Sequence, residues 1–126
     1  MTLIIAIVTG IINFMIGGLW YGLLFQKPWI EAMGINPEDI GKNGDGKKEM
    51  IMTVIVEVII SIVTILFLSA INAATPLNAI IIGIITILSG LKNYFFEQRP
   101  VKLILINESY KIVAFVVIGL ALLLIK

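Results

Sequence analysis

The sequence contains no cysteine and no histidine. These absences exclude disulfide bonds, iron–sulfur clusters, the usual zinc sites, haem bound through histidine and acid–base catalysis by histidine. Charged residues are also scarce, at 13% of the chain, and their sum of +1 gives no indication of a nucleic-acid partner. We therefore expect no metal and no cofactor, and most redox and metalloenzyme functions are excluded.

Apolar residues are abundant, at 60% of the 126 residues, and the mean hydropathy is +1.09. Soluble domains contain about 45–50% apolar residues, and a membrane-spanning helix needs about 20 consecutive, mainly apolar residues. Four segments satisfy this requirement, at about 3–25, 50–71, 77–96 and 101–125. The sequence predicts a single all-α domain over residues 1–126, a polytopic transmembrane four-helix bundle in the lipid bilayer.

The first segment is expected to be a retained helix, because no basic region precedes its apolar run and no convincing cleavage site follows it. The third segment begins at Thr75-Pro76, a helix cap followed by a proline suited to the first helical position. Only residues 72–75 separate the second and third segments. A turn this short predicts that these two helices are antiparallel neighbours.

The polar segment 26–49 joins the first two spans. Residues 27–33 are expected to form a short interfacial helix with Trp29, Ile30 and Met33 toward lipid. Residues 36–39 are typical of a further helix start, and 41–48 of a flexible linker. This segment and the loop at 97–100 lie on one side of the membrane, and both termini on the other.

Basic residues are concentrated on the loop side, at Lys27, Lys42, Lys47, Lys48, Lys92, Arg99 and Lys102, whereas the terminal side has only Lys126 and the amino group. The positive-inside rule predicts cytoplasmic loops and external termini.

Small residues recur at helical spacing along the first and third spans. They permit close approach of helix backbones, so the simplest prediction is helix packing at Gly10, Gly17, Gly18, Gly22, Gly83 and Gly90.

Ionisable residues also interrupt the apolar spans. Glu57, Glu108 and Lys111 lie on the order of 10 to 15 Å inside the helix ends, from a rise of about 1.5 Å per residue. Such residues normally face a partner or a wet cavity, and Glu108 and Lys111 are spaced for an ion pair. Two interpretations stay open: a polar cluster that fixes helix register, or a site for binding or proton relay. Further candidate members of this cluster are Asn13, Asn93, Asn107 and Tyr110.

Two motifs combine polar and aromatic residues, NFMIGGLWYGLLFQKPW at 13–29 and NYFFEQRPVKLILIN at 93–107. With them the chain resembles the prokaryotic membrane family called domain of unknown function 1761. The resemblance implies four spans and a bacterial or archaeal plasma membrane, and it implies no activity. The matching positions are Asn13, Trp20, Tyr21, Asn93, Glu97, Arg99, Lys102 and Asn107.

Several of these positions are candidates for the membrane surface. Arg99 and Lys102 are expected to pair with Glu97 or to bind lipid phosphate. Aromatic anchors are expected at the same level, at Trp20, Tyr21 and Trp29.

We predict a non-enzyme, and the first functional hypothesis is an oligomeric transporter or channel subunit with its polar cluster open to the cytoplasm. Because four spans enclose little volume, a homo-oligomer is expected. The alternative is a non-catalytic accessory protein that binds lipid headgroups or a partner membrane protein. A lipid-modifying enzyme is the weakest reading, because no nucleophile or metal motif accompanies the carboxylates.

Overall fold

The computed structural model describes residues 1–34 and 47–125, and this part of the chain is helical without strands. Helix α1 (Thr2–Leu19) continues into a π-helical turn (Trp20–Leu24), followed by α2 (Gln26–Met33), α3 (Lys47–Ala70), α4 (Pro76–Phe96) and α5 (Val101–Leu122). Four segments are long and apolar enough to span a membrane: Thr2–Leu24, Lys47–Ala70, Pro76–Phe96 and Val101–Leu122. The predicted all-α, four-span fold is confirmed.

The start of α3 differs from the prediction. The helix begins at Lys47 instead of residue 50, so Lys47 and Lys48 are helical and do not belong to a linker. Lysine and glutamate are good helix formers, and Glu49 in the first turn interacts favourably with the helix dipole. The rest of the predicted linker, 41–46, and the predicted helix start at 36–39 lie outside the described residues.

Two closely packed helix pairs build the bundle, α1 with α3 and α4 with α5, and α1 also packs against α5. A Cβ atom added to Gly10 would lie 2.5 Å from Val58 Cα, which shows how closely the α1 and α3 backbones approach. In the second pair, a Cβ atom on Gly83 would lie 2.8 Å from Phe115 Cβ. Small residues therefore set the helix separation in both pairs.

Helices α3 and α4 follow each other through a short turn but pack only sparsely, which corrects the prediction of close neighbours. The cap of α4 forms as expected, since Thr75 Oγ1 accepts a hydrogen bond of 3.2 Å from Asn78 N. The buried core lies at this turn and is formed by Ala6, Ile65, Leu68, Ala79, Phe115, Ile118, Ala121 and Leu122. The bundle is thus closed at the turn end, while α3 and α4 leave space between them farther along.

The first span, predicted at 3–25, ends in a π-helical turn. Its marker is the hydrogen bond of 2.9 Å from Phe25 N to Trp20 O, five residues apart. Two consecutive side chains of this turn reach α5: Trp20 Nε1 donates to Ile106 O and Tyr21 Oη to Asn107 Oδ1, each at 2.9 Å.

Two of the predicted packing glycines do not lie at a helix contact. A Cβ atom added to Gly18 or Gly22 would meet nothing within 4 Å. The GxxxG spacing of these residues therefore marks no interface among the described residues. A packing glycine that the sequence reading missed is Gly119, where an added Cβ atom would lie 3.0 Å from Pro76 Cα.

Candidate functional site

A cavity of about 860 Å³ fills the space that the sparse α3–α4 packing leaves. It runs from Glu49 and Met50, exposed at the start of α3, to Phe115 and Ile118 of the buried core. All four spans and α2 contribute to its wall. Among the described residues, the cavity therefore extends from the end of the bundle that carries the predicted loops to the buried core beside the 72–75 turn.

Glu57 on α3 belongs to a polar junction of three helices at this cavity. Its Oε1 accepts a hydrogen bond of 2.8 Å from Tyr110 Oη on α5. The same phenolic oxygen lies 2.8 Å from the backbone carbonyl oxygen of Asn13 on α1. Asn13 in turn donates from Nδ2 to Ala114 O at 3.2 Å. The structure thus brings together three of the predicted candidates, Asn13, Glu57 and Tyr110.

A second junction uses Asn107 on α5. Its Oδ1 accepts a hydrogen bond of 2.9 Å from Tyr21 Oη on the π-helical turn, and its Nδ2 donates one of 3.0 Å to Tyr94 Oη on α4. Tyr21, Tyr94 and Asn107 all line the cavity. One amide side chain therefore connects the end of the first span with α4 and α5.

Glu108 and Lys111 form the ion pair that their spacing predicts, with 3.0 Å between Glu108 Oε1 and Lys111 Nζ. The Glu108 side chain is only 8% exposed, and its Oε2 has no hydrogen-bond partner within 1–34 and 47–125. Lys111 lines the cavity, and its Nζ would lie 3.4 Å from a Cβ atom on Gly90. The group next to Gly90 is therefore the ammonium group of Lys111 and not the backbone of a neighbouring helix.

Aromatic rings cover the polar groups on the loop side. The Tyr21 ring centroid lies 5.8 Å from that of Trp29 and 5.9 Å from that of Tyr110, both edge-on. Trp20 contacts Phe25 and Tyr110, at 5.0 and 6.4 Å. Trp29 and Met33 were expected to face lipid, but both are half-buried and line the cavity. The reason is that α2 begins directly after the π turn and packs back against α5.

Asn93 does not lie with the polar groups that line the cavity, although the sequence placed it in the same cluster. Its side chain is exposed and does not line the cavity, whereas its neighbour Tyr94 does. With about 3.6 residues per turn, the inner face of α4 that includes Gly83 recurs near residue 94. Tyr94 was not among the predicted binding residues. The helical repeat of α4 is the signal that could have indicated that its side chain faces the cavity.

Two exposed ion pairs lie at the loop end of the bundle. Arg99 Nη2 lies 3.3 Å from Glu97 Oε1, one of the pairings expected from sequence. Lys102 Nζ instead lies 2.8 Å from Glu31 Oε2 and so ties α5 to α2. The hydrogen bond from Lys102 and its positive charge hold the pKa of the Glu31 carboxyl below its usual value. Glu31 was not among the predicted site residues.

The candidate site contains no cluster suited to a metal ion: among the described residues, no three histidine, cysteine, aspartate or glutamate side chains converge. The arrangement offers instead a half-buried carboxyl group, hydroxyl and amide groups, and aromatic walls. These groups can bind a proton, a cation or a hydrogen-bonding solute.

Fold and cavity together define a small polytopic α-helical membrane protein with a polar site between its spans. Residues 4–123 match the family described as protein of unknown function (DUF1761), and the chain belongs to this family. No curated protein and no solved structure matches it.

Proposed function

We propose that the protein is a small membrane transporter in which Glu57 binds a proton or another cation inside the cavity. The observation that carries this proposal is the position of Glu57: a half-buried carboxyl group that lines the cavity and has no ion pair within the described residues. Ionisable side chains inside membrane spans are costly and generally face a partner or a water-filled pathway. A polar cluster that only fixes helix register would need no cavity of this size.

The same proposal assigns the orientation. The described basic residues of the loop side, Lys27, Lys47, Lys48, Lys92, Arg99 and Lys102, support cytoplasmic loops and external termini by the positive-inside rule. The cavity would then open toward the cytoplasm of a prokaryotic plasma membrane. The closed end of the cavity, at Phe115 and Ile118, would lie nearer the external side of the membrane.

We further propose that the transporter is a homo-oligomer and not an enzyme. The buried core closes the turn end of the single chain, so a pathway to the other side requires either rearrangement of the spans or an interface between copies. The accessory-protein alternative relied on Arg99 and Lys102 as headgroup ligands. Both already pair with carboxylates, Glu97 and Glu31, which leaves less positive charge for lipid phosphate.

The test is ion flux in proteoliposomes. Purified protein is reconstituted with a trapped pH-sensitive dye, and an imposed pH gradient is followed in Na⁺, K⁺ or ethylammonium buffer, with valinomycin and a low K⁺ concentration on both sides of the membrane to compensate charge. Protein-dependent flux in at least one buffer, strongly reduced in Glu57→Gln and unchanged in Glu97→Gln, would support the proposal. Flux equal to that of empty liposomes in all three buffers, or flux indifferent to Glu57→Gln, would contradict it.

A further inference from the structure

Among the residues that the structure describes, the inner part of the cavity has one carboxyl group without an opposite charge, that of Glu57. The titratable groups that line the cavity are Tyr21 on the π-helical turn, Glu49 and Glu57 on α3, Tyr94 on α4, and Tyr110 and Lys111 on α5. Lys111 is neutralised by Glu108 at 3.0 Å, and Glu49 lies at the exposed start of α3. Within 1–34 and 47–125, Glu57 is thus the inner carboxyl group whose charge has no counterion.

The hydrogen bonds at Glu57 leave room for one more proton. The Tyr110 hydroxyl has a single hydrogen, yet its oxygen lies 2.8 Å from both Glu57 Oε1 and the Asn13 carbonyl oxygen. Either the two acceptors share this hydrogen, or Glu57 is protonated and donates to Tyr110 while Tyr110 donates to Asn13. The site can therefore hold Glu57 in its protonated form without losing either contact.

Acceptors are also in excess nearby. Asn13 lines the cavity and is 1% exposed, and its Oδ1 has no hydrogen-bond partner in the described part of the chain. Donation from Nδ2 to Ala114 O fixes the orientation of this amide. A ligand that brings N–H groups would match this end of the cavity better than one that brings further acceptors.

The remaining wall suits an apolar body next to a positive charge. Tyr21, Trp29 and Tyr110 form a ring cluster with centroid separations of 5.8 and 5.9 Å, and aromatic faces attract cations. A volume of about 860 Å³ lies within the range of about 300–1,000 Å³ typical of sites for drug-sized ligands. The cavity therefore has room for a substituted amine and not only for a bare ion.

We infer that the cavity binds an amphipathic amine in its ammonium form, with the N–H groups on Glu57 and the carbon skeleton among the aromatic rings. This inference rests on the proposed function, because it names the solute class of the same site. Glu57 loses its proton to solvent when the ammonium group takes its place, so one positive charge enters and one leaves. The ammonium group can belong to a free amine or to a phospholipid headgroup.

The binding experiment uses the full chain purified in a neutral maltoside detergent and isothermal titration calorimetry. The probes share one phenyl group and differ in the polar end: 2-phenylethylamine, 2-phenylethanol, trimethyl(2-phenylethyl)ammonium and 3-phenylpropionate. We expect 2-phenylethylamine to bind about tenfold or more tightly than each of the others. Titration in two buffers of different ionisation enthalpy should report release of about one proton per bound amine, because the exchange is one for one.

Variants at Glu57 test whether this residue binds the amine. Glu57→Gln should weaken amine binding by about tenfold or more and abolish proton release, because charge-assisted hydrogen bonding is lost. Glu97→Gln, at an exposed carboxylate outside the cavity, should leave both unchanged. If Glu57→Gln does not fold, Glu57→Asp keeps the carboxyl group and should retain the preference for amine over alcohol at lower affinity.

The inference is overturned if the alcohol or the carboxylate binds as tightly as the amine, or if neither Glu57 variant changes amine binding. Amine binding is then compared in nanodiscs with and without phosphatidylethanolamine to identify the source of the ammonium group. If this lipid competes with the amine, the natural ligand is a lipid headgroup. If it does not compete, the ligand is a free amine. Amine binding without flux would refute transport alone. Glu57-dependent flux without amine preference would refute this inference alone.

Discussion

Tyr110 on α5 and Glu57 on α3 are joined by a hydrogen bond of 2.8 Å between the phenolic oxygen and the carboxyl group. The same hydroxyl reaches the backbone of α1 at Asn13. These contacts bring α3 into the polar network of α1 and α5 beside the cavity. Loss of the Tyr110 hydroxyl should therefore affect both the stability of the bundle and the candidate site.

Removing this hydroxyl tests the junction. Tyr110→Phe leaves the Glu57 carboxyl group and the Asn13 carbonyl without this partner in a half-buried setting, so we expect a loss of about 1–3 kcal/mol in the free energy of unfolding. The measurement is unfolding in mixed micelles, followed by circular dichroism. Tyr94→Phe is the matched control and should cost less, because Asn107 keeps its bond to Tyr21. Equal losses in the two variants would argue against a special role for Tyr110.

The Glu108–Lys111 ion pair gives a second prediction, a larger loss of stability for a single change than for the double change. Lys111→Met leaves the Glu108 carboxylate, 8% exposed, without its counterion. Breaking a fully buried pair in this way costs about 3–5 kcal/mol, and the loss here should be smaller because the Lys111 side chain is 34% exposed. The double variant Lys111→Met/Glu108→Gln removes the charge as well and should recover much of that loss. Unfolding measurements on the single and double variants form the comparison. A double variant less stable than Lys111→Met would show that Glu108 does not depend on Lys111.

The span pattern was readable from sequence because lipid imposes one dominant requirement, about 20 apolar residues per crossing. The Glu108–Lys111 pair was readable for a related reason, since both residues lie on one helix at a fixed spacing. Contacts between residues on different helices could not be predicted from the sequence in this way. Glu31 and Lys102 are distant in sequence, and their contact depends on how α2 packs after the π turn.

A cavity beside the ionisable residues was one hypothesis from the sequence, but its position between particular helices could not be predicted, for the same physical reason. It exists because α3 packs on α1 and α4 on α5, while α3 and α4 diverge. Close approach at Gly10 and Gly83 contributes to this pairing. The sequence contains equally plausible small residues, such as Gly18, that meet no neighbour. Spacing identifies which residues share a helix face, but it does not select the helix that the face contacts.

Two glycines of α1 therefore provide a matched pair for a third prediction. In Gly10→Ala the new methyl group would lie 2.5 Å from the Val58 Cα atom, so α1 and α3 must separate, at a cost of about 1–3 kcal/mol. In Gly18→Ala the methyl group meets nothing within 4 Å, and the higher helix propensity of alanine should add up to about 1 kcal/mol. Unfolding in mixed micelles measures both. A Gly18→Ala loss as large as that of Gly10→Ala would contradict the helix pairing described here.

The contact between α2 and α5 should depend on pH through Glu31. Because Lys102 lowers the pKa of the Glu31 carboxyl in the folded protein, the ion pair stabilises the docked α2 above the unfolded pKa, and this contribution is lost as the pH falls through the lowered folded value. Titration of Glu31 by carboxyl ¹³C NMR measures the shift directly. Lys102→Met should raise the Glu31 pKa toward its ordinary value, whereas Arg99→Met, whose guanidinium group pairs with Glu97, should leave it unchanged. Added salt should weaken the effect, since both partners are exposed. A Glu31 pKa that stays the same in Lys102→Met would mean that the 2.8 Å contact does not hold α2 against α5.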